Sequence, residues 1–181
     1  MAQLPPVHVK PYSDHAAMAV LSRLDSSDQA EADHARGERS SHLQIFADWR
    51  AVEPARVVSL VLCAGTETAP IPFAVLGLAN TGQAGVASAA LLARDHMKFK
   101  RHLTATCLLI RDRMPPFCVE HGIHRIEART WGGHPRASLF LRSCGFAFET
   151  DLHGYGREGR TVFRQFAWIN PILEQDNSHV H

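Results

Sequence analysis

Between Phe117 and Trp168, apolar spacing and glycine placement change in an order that few folds accommodate. A helix end runs to Gly122. His124 to Thr130 then alternates, with Ile126 and Ala128 on one face and Arg125, Glu127 and Arg129 on the other. After Trp131-Gly-Gly133, residues Ala137, Phe140, Leu141 and Cys144 form the apolar side of a short helix that Gly145 closes. Phe146 and Phe148 alternate into a strand. Thr161 to Ile169 supplies its antiparallel partner across a turn holding Gly154 and Gly156. Helix, strand, helix, Gly-Phe, strand, hairpin, strand is the order any fold must satisfy.

Upstream, Val7 to Tyr12 alternates as a first strand, confined to an edge by Pro5, Pro6 and Pro11. Ser13 or Asp14 caps a helix with Ala17, Val20, Leu21 and Leu24 on one face. Ser27 or Asp28 caps a second, more polar helix through Ala35, which Gly37 ends and whose polar face reads as solvated. From about Ile45 strands are expected: a short one over Phe46–Trp49, a central one over Arg56–Ala64, then Phe73–Ala79 and Val86–Ala93. The last is rich in alanine and would suit a helix alone. Turns at Gly65–Pro72 and Asn80–Gly82 favour a three-stranded meander. Leu103, Cys107, Ile110 and Met114 then recur at helical spacing, and Pro115-Pro116 should end or kink that helix.

Length and charge narrow the function classes. At 181 residues the chain suits one domain, expected over 1–175, with a frayed tail over 176–181. The balance of 19 basic and 18 acidic residues favours neither nucleic acid nor an anionic membrane. No apolar run approaches the roughly 18 residues of a membrane helix. The first ten residues lack the pattern of a secretory signal, so a soluble cytoplasmic protein is expected. Cys63, Cys107, Cys118 and Cys144 form no Cys-x-x-Cys pair and read as buried reduced thiols. His121-x-x-His124 has ligand-like spacing, but Gly122 interrupts it and no third ligand is apparent, so no metal is expected.

The order β-α-α-β-β-β-α-β-α-β-β resembles the GNAT superfamily of acyl-CoA-dependent N-acyltransferases. Two segments carry the resemblance: Cys118-Val-Glu-His-Gly-Ile-His-Arg-Ile-Glu-Ala128, and His134-x-x-Ala137 through Cys144-Gly-Phe146. It implies a mixed α/β (α+β) fold: a mostly antiparallel sheet of six to seven strands, about four flanking helices, and a splay between strands 4 and 5. It also implies acetyl-CoA or another acyl-CoA as co-substrate and a small-molecule or protein amine as acceptor. Backbone from Val86 to Ala93 would pair with the pantetheine arm. In this family a Gln/Arg-x-x-Gly-x-Gly/Ala loop cradles the pyrophosphate through its amides. The matching residues are Lys100-Arg-His-Leu103-Thr-Ala105, which puts Lys100 and Ala105 in register but replaces the first glycine by Leu103. Lys98, Lys100, Arg101 and His102 can compensate with side-chain charge, which makes these four, with Thr104 and Ala105, the candidate cofactor-binding residues.

The family's general acid, a tyrosine in the short helix before Gly-Phe, falls on Leu141, which transfers no proton. His134, at the family's Asn position, can transfer one. Asp95, His96 and Glu127 are the candidate bases near the expected splay. Each also has an ordinary reading as a hydrogen-bonded or surface polar residue. The basic segment His96–Arg101 and the last-strand Phe163-x-x-Phe166 further resemble phage and prophage GNAT-like proteins that lack the glycine loop. That resemblance leaves a second reading: a catalytically degenerate structural or interaction protein, virion-associated in some relatives. Paired last strands would support a homodimer in either case.

Overall fold

The structure, a computed structural model, describes residues 3–171. The expected C-terminal tail over 176–181 lies outside the described residues. Chain order gives β1 (His8–Pro11), α1 (Asp14–Leu21), α2 (Ser26–Arg36), α3 (His42–Ala51), β2 (Arg56–Gly65), β3 (Pro70–Asn80) and β4 (Val86–Ala93). Then come α4 (Lys100–Glu120), β5 (Arg125–Trp131), α5 (Ala137–Ser143), β6 (Ala147–Tyr155) and β7 (Thr161–Ile169). The strands form one mixed sheet in the order β1-β2-β3-β4-β5-β7-β6, as the fold reading expected. Only β4–β5 is parallel, because α4 must carry the chain back across the sheet between them.

Helices cover both faces. α1 and α3 place Ala17, Val20, Leu21, Ile45 and Trp49 against Val61 and Cys63 of β2 and Val75 of β3. On the other face, Cys107, Met114 and Cys118 of α4, with Cys144 beyond α5, pack on Ile126, Ala128, Phe166 and Trp168. Phe166 is fully buried, and burying such a side chain is worth about 1.5–3 kcal/mol. All four cysteines are free and buried.

Three expectations need correction. Phe46–Trp49 is helical, not extended, and belongs to one of five α-helices among the described residues. Ser41 and Gln44 close a reciprocal capping box that starts α3, and Ile45 and Trp49, one turn apart, share its buried side. Of the end or kink expected at Pro115-Pro116, the end does not occur: α4 runs on to Glu120. Met114, Phe117 and Cys118 all pack into the core around them, and that anchorage offsets the backbone bonds two prolines remove. Finally, α2 is not merely solvated on its polar side: Asp28 is 6% exposed.

Candidate functional site

The parallel pairing of β4 and β5 lasts only from Val86/Arg125 to Ala89/Ala128, and beyond it the two strands part. The Arg94 N–H donates to Phe73 O on β3 at 2.9 Å. Strand alternation therefore turns the peptide groups of Ala93 and Leu91 toward the gap. On the opposite arm the Gly132 N–H donates to Val162 O of β7, which turns Trp131 and Arg129 toward the same gap.

Helix α2 closes the wide end of this gap. Asp25 N–H donates to Ala93 O at 3.0 Å, and Ala93 N–H donates to Asp28 Oδ2 at 2.7 Å. On the far arm, Trp131 N–H (3.0 Å) and the Thr130 hydroxyl (2.7 Å) both donate to Glu31 Oε2. Asp28 and Glu31 lie three residues apart, on one helix face, so a single face spans both arms. Between this bridge and the paired seam, the peptides of Leu91 and Arg129 face the gap.

Asp28 also gathers two histidines. Its Oδ1 lies 3.0 Å from His134 Nε2 and 3.1 Å from His96 Nε2. His134 Nδ1 accepts the Arg136 N–H (3.2 Å) and the Ala137 N–H (3.0 Å), so its proton is on Nε2, donated to Asp28. His96 Nδ1 faces Asp25 Oδ1 at 3.4 Å, while the His96 N–H donates to Asp25 Oδ2 at 2.9 Å. Burial alone would raise the Asp28 carboxyl, but bonds from His134 and His96 hold it below the usual range. Burial would likewise lower His96; the Asp28 bond and the Asp28 and Asp25 charges outweigh it and hold the imidazole up. Glu31 is pushed up by burial against its bonds from Thr130 and Trp131.

One ligand atom each of Asp28, His96 and His134 lies within 4.8 Å of the others, the spacing of a metal site. The donor set does not fit one. A neutral histidine that ligates through Nε2 carries its proton on Nδ1, and His134 Nδ1 already faces two backbone N–H donors. The cluster is a hydrogen-bonded network.

A cavity of about 1250 Å³ joins this network to the start of α4. Its walls are largely apolar, with Leu62, Leu78 and Ala89 from the sheet, Leu103 and Ile110 from α4, and Phe140 from α5. Asp28, Glu31, His96 and His134 also line it. Fully buried Thr106 lines it too, with a hydroxyl that finds no protein partner. At the start of α4, Phe99 offers no side-chain cap, and the first intrahelical bond of this end is Leu103 N–H to Phe99 O at 2.8 Å. The amides of Lys100, Arg101 and His102 therefore have no partner within the helix. Leu103 is half-buried against the core cluster that holds Leu62, Phe73, Ala93 and Phe99, and it also lines the cavity.

The other candidate residues fall as follows. Lys98 Nζ lies over the Phe99 ring at 5.5 Å, and the Arg101 guanidinium donates to Gln3 O. His102 sits against Phe73 and Phe99, and burial with the Arg101 charge pushes its imidazole down. The Thr104 hydroxyl donates to Lys100 O at 3.0 Å, and Ala105 is half-buried one residue on. Asp95 adopts φ 43°, and its Oδ1 accepts the Lys98 N–H at 3.0 Å, capping the turn before α4. Glu127 pairs with Arg125 at 2.9 Å on the face of β5 opposite Ile126 and Ala128. The fold thus joins His96 and His134 through Asp28 and leaves Asp95 and Glu127 outside that network. Leu141 packs into the α4–α5 core, and the Tyr155 ring lies tilted against Phe163 at 5.0 Å. Asp25, Asp28 and Glu31 were not expected at the site. Their partners lie as far as 106 residues away, and the only local signal is three acids on one helix face.

No protein-family profile matches the sequence, and no curated protein sequence matches it. Solved structures do. A GNAT-family acetyltransferase from Bacillus anthracis superposes with TM-score 0.67 at 10% identity, covering 93% of this chain and 97% of that one. Ribosomal-protein-S5-alanine acetyltransferase from Vibrio fischeri gives 0.65 at 11%, covering 94% and 96%. Spermidine N-acetyltransferase from Vibrio cholerae, solved with CoA and spermine, gives 0.64 at 11%, covering 91% and 95%. The fold of this chain is the GNAT fold.

Proposed function

We propose that the chain transfers an acyl group, in the simplest case acetyl, from acyl-CoA to an amine by direct attack. One observation carries this reading: an apolar cavity runs from the start of α4 to the gap between β4 and β5 and ends on the histidine–carboxylate network. Its dimensions and lining suit an extended, mostly apolar arm with an anionic end. The structural neighbour solved with CoA supports the same choice of co-substrate.

The residues present fit such a molecule. The Leu91 peptide, between Ala89 paired to β5 and Ala93 paired to α2, offers an N–H and a C=O for strand-like pairing. The Lys100, Arg101 and His102 amides, with Lys98 and Lys100 side-chain charge and the Thr104 and Ala105 turn behind them, would hold the pyrophosphate. Acyl-CoA supplies the acyl group as a thioester, already activated toward an amine. This chain's residues orient it, exclude water along the apolar wall, and place titratable groups at its end. His96 is the group placed to move a proton there, His134 holds Asp28 beside it, and Asp95 and Glu127 are candidate bases for an amine arriving from outside the network.

The test is calorimetry with acetyl-CoA and with CoA on the wild-type protein and on a Lys98→Ala/Lys100→Ala variant. Binding by wild type that weakens at least tenfold in the variant supports the reading. No binding by wild type at millimolar ligand overturns it and leaves a scaffold without acyl-transfer chemistry.

A further inference from the structure

Resting on that reading, we infer that His96 is the general acid of the transfer: an imidazolium, held between Asp25 and Asp28, that protonates the departing thiolate. Direct aminolysis of a thioester forms a C–N bond and breaks the C–S bond, and the electron pair leaves on sulfur. The sulfur gains one proton and the nitrogen loses one. A donor must therefore stand at the inner end of the cavity, carry a proton at neutral pH, and part with it readily.

The lining of the cavity offers few candidates, and Glu31, though pushed up by burial, accepts the Thr130 hydroxyl and the Trp131 N–H and so serves to tie α2 to the β5 arm. Guanidinium and ammonium groups as a class are poor proton donors near neutral pH. Buried Cys144 is pushed far up by its contact with Cys107 and by burial, so it too keeps its proton. His134 Nδ1 accepts two backbone N–H groups, so this ring has no site for a second proton, and its single proton is held by Asp28. His134 is a positioning residue.

His96 differs on both counts. Each ring nitrogen faces a carboxylate oxygen, Nε2 at 3.1 Å from Asp28 and Nδ1 at 3.4 Å from Asp25, so both nitrogens are sites for protons. The charged groups around it are Asp25 and Asp28 from α2, His134 beyond β5 (ring centroids 5.8 Å apart), and Arg136, whose charge opposes protonation. The two carboxylates prevail and hold the imidazole up. The Nδ1 proton, with only the longer contact, is the one to transfer. Once it is given to sulfur, the imidazole takes a proton back from solvent, and the proton shed by nitrogen goes to solvent, so the cycle balances.

Two measurements test this. The first needs no turnover: titration of side-chain ¹⁵N resonances in the ligand-free protein, assigned with His96→Gln. His96 should remain doubly protonated well above the ordinary histidine midpoint, and Asp25→Asn should bring the midpoint down. A midpoint at or below the ordinary value overturns the inference. The second is the pH dependence of CoA release from acetyl-CoA with hydroxylamine, a neutral nucleophile near pH 7. Wild-type kcat should fall at alkaline pH as His96 loses its proton. His96→Gln should lower kcat by about 100-fold or more and abolish that limb, while calorimetric affinity for acetyl-CoA stays within about threefold. A variant that keeps the wild-type limb refutes the role of His96 and leaves acyl transfer standing. Failure of wild type to bind acetyl-CoA removes both.

Discussion

Replacing Asp28 by alanine isolates what the α2 bridge contributes. Three donors converge on this carboxylate: the Ala93 N–H at 2.7 Å, His134 Nε2 at 3.0 Å and His96 Nε2 at 3.1 Å. The Asp28 side chain is 8% exposed and those of His134 and His96 are 4% and 12%, so water does not replace it cheaply. Each bond to a buried charge is worth about 1.5–3 kcal/mol, and removing one partner of a buried pair typically costs 3–5 kcal/mol. The bonds share one acceptor and are not additive, so we expect Asp28→Ala to lose about 3–5 kcal/mol in urea unfolding. The loss should depend on pH, with a definite sign. His96 is raised in the folded state, so its contribution is full below its ordinary value of 6.5 and fades as pH rises through the higher folded value. Asp28 is depressed, so its contribution is present above 3.8 and lost as pH falls through the lower folded value. The difference between wild type and variant should therefore be largest in the weakly acidic range and shrink toward alkaline pH. A loss under about 1 kcal/mol, or one that stays constant from about pH 5.5 to pH 9, would refute the reasoning.

Three further outcomes follow from separate features. An ideal Cβ on Gly77 would lie 1.5 Å from a terminal nitrogen of Arg56, whose guanidinium stacks on Trp49 at 4.1 Å. Gly77→Ala should displace that arginine, quench the stacking-dependent Trp49 fluorescence signature, and destabilise by about 1–2 kcal/mol; an unchanged spectrum and midpoint would contradict it. Gly37 ends α2 at φ 75°, with its virtual Cβ 2.9 Å from Arg157 N, so Gly37→Ala should cost about 1–2 kcal/mol by thermal unfolding. Cys118 is fully buried and its thiol is pushed up to about 11 by burial, and the other three cysteines are buried as well. A disulfide reagent should therefore titrate fewer than one thiol in native protein and four in denaturant.

The alternating stretch His124–Thr130, the helix closed by Gly145 and the final hairpin were legible because local spacing suffices for each: period two, period 3.6, and glycine at positive φ. Val86–Ala93 had no decisive composition and was read correctly from its flanking turns. The failures share a different cause. At Phe46–Trp49, four residues fit a strand, and the capping box that makes them helical lies upstream of them at Ser41 and Gln44. At Pro115-Pro116, packing of Met114, Phe117 and Cys118 overrode local propensity. The candidate site was half legible. His96 stands out as a titratable group near an expected strand end, and His134 through the family position it matches. Asp28 reads as a candidate helix cap, a place Asp25 takes, until Ala93 and His134, 65 and 106 residues away, are brought to it.

The short seam between β4 and β5 also bears on the order in which the molecule assembles. Strands β2 to β4 form from neighbouring turns, as do β6 and β7, so each block can close on local contacts. Joining them requires the whole of α4 to be spanned, and the Glu31–Trp131 bond closes a loop of 100 residues. The seam and its bridge should therefore form late and open early. Amide exchange in the native protein should then be faster at Trp131 and Ala93 than at Val75 or Phe166. The candidate site would occupy the joint between two independently nucleated halves, where small adjustments of one block against the other are least opposed.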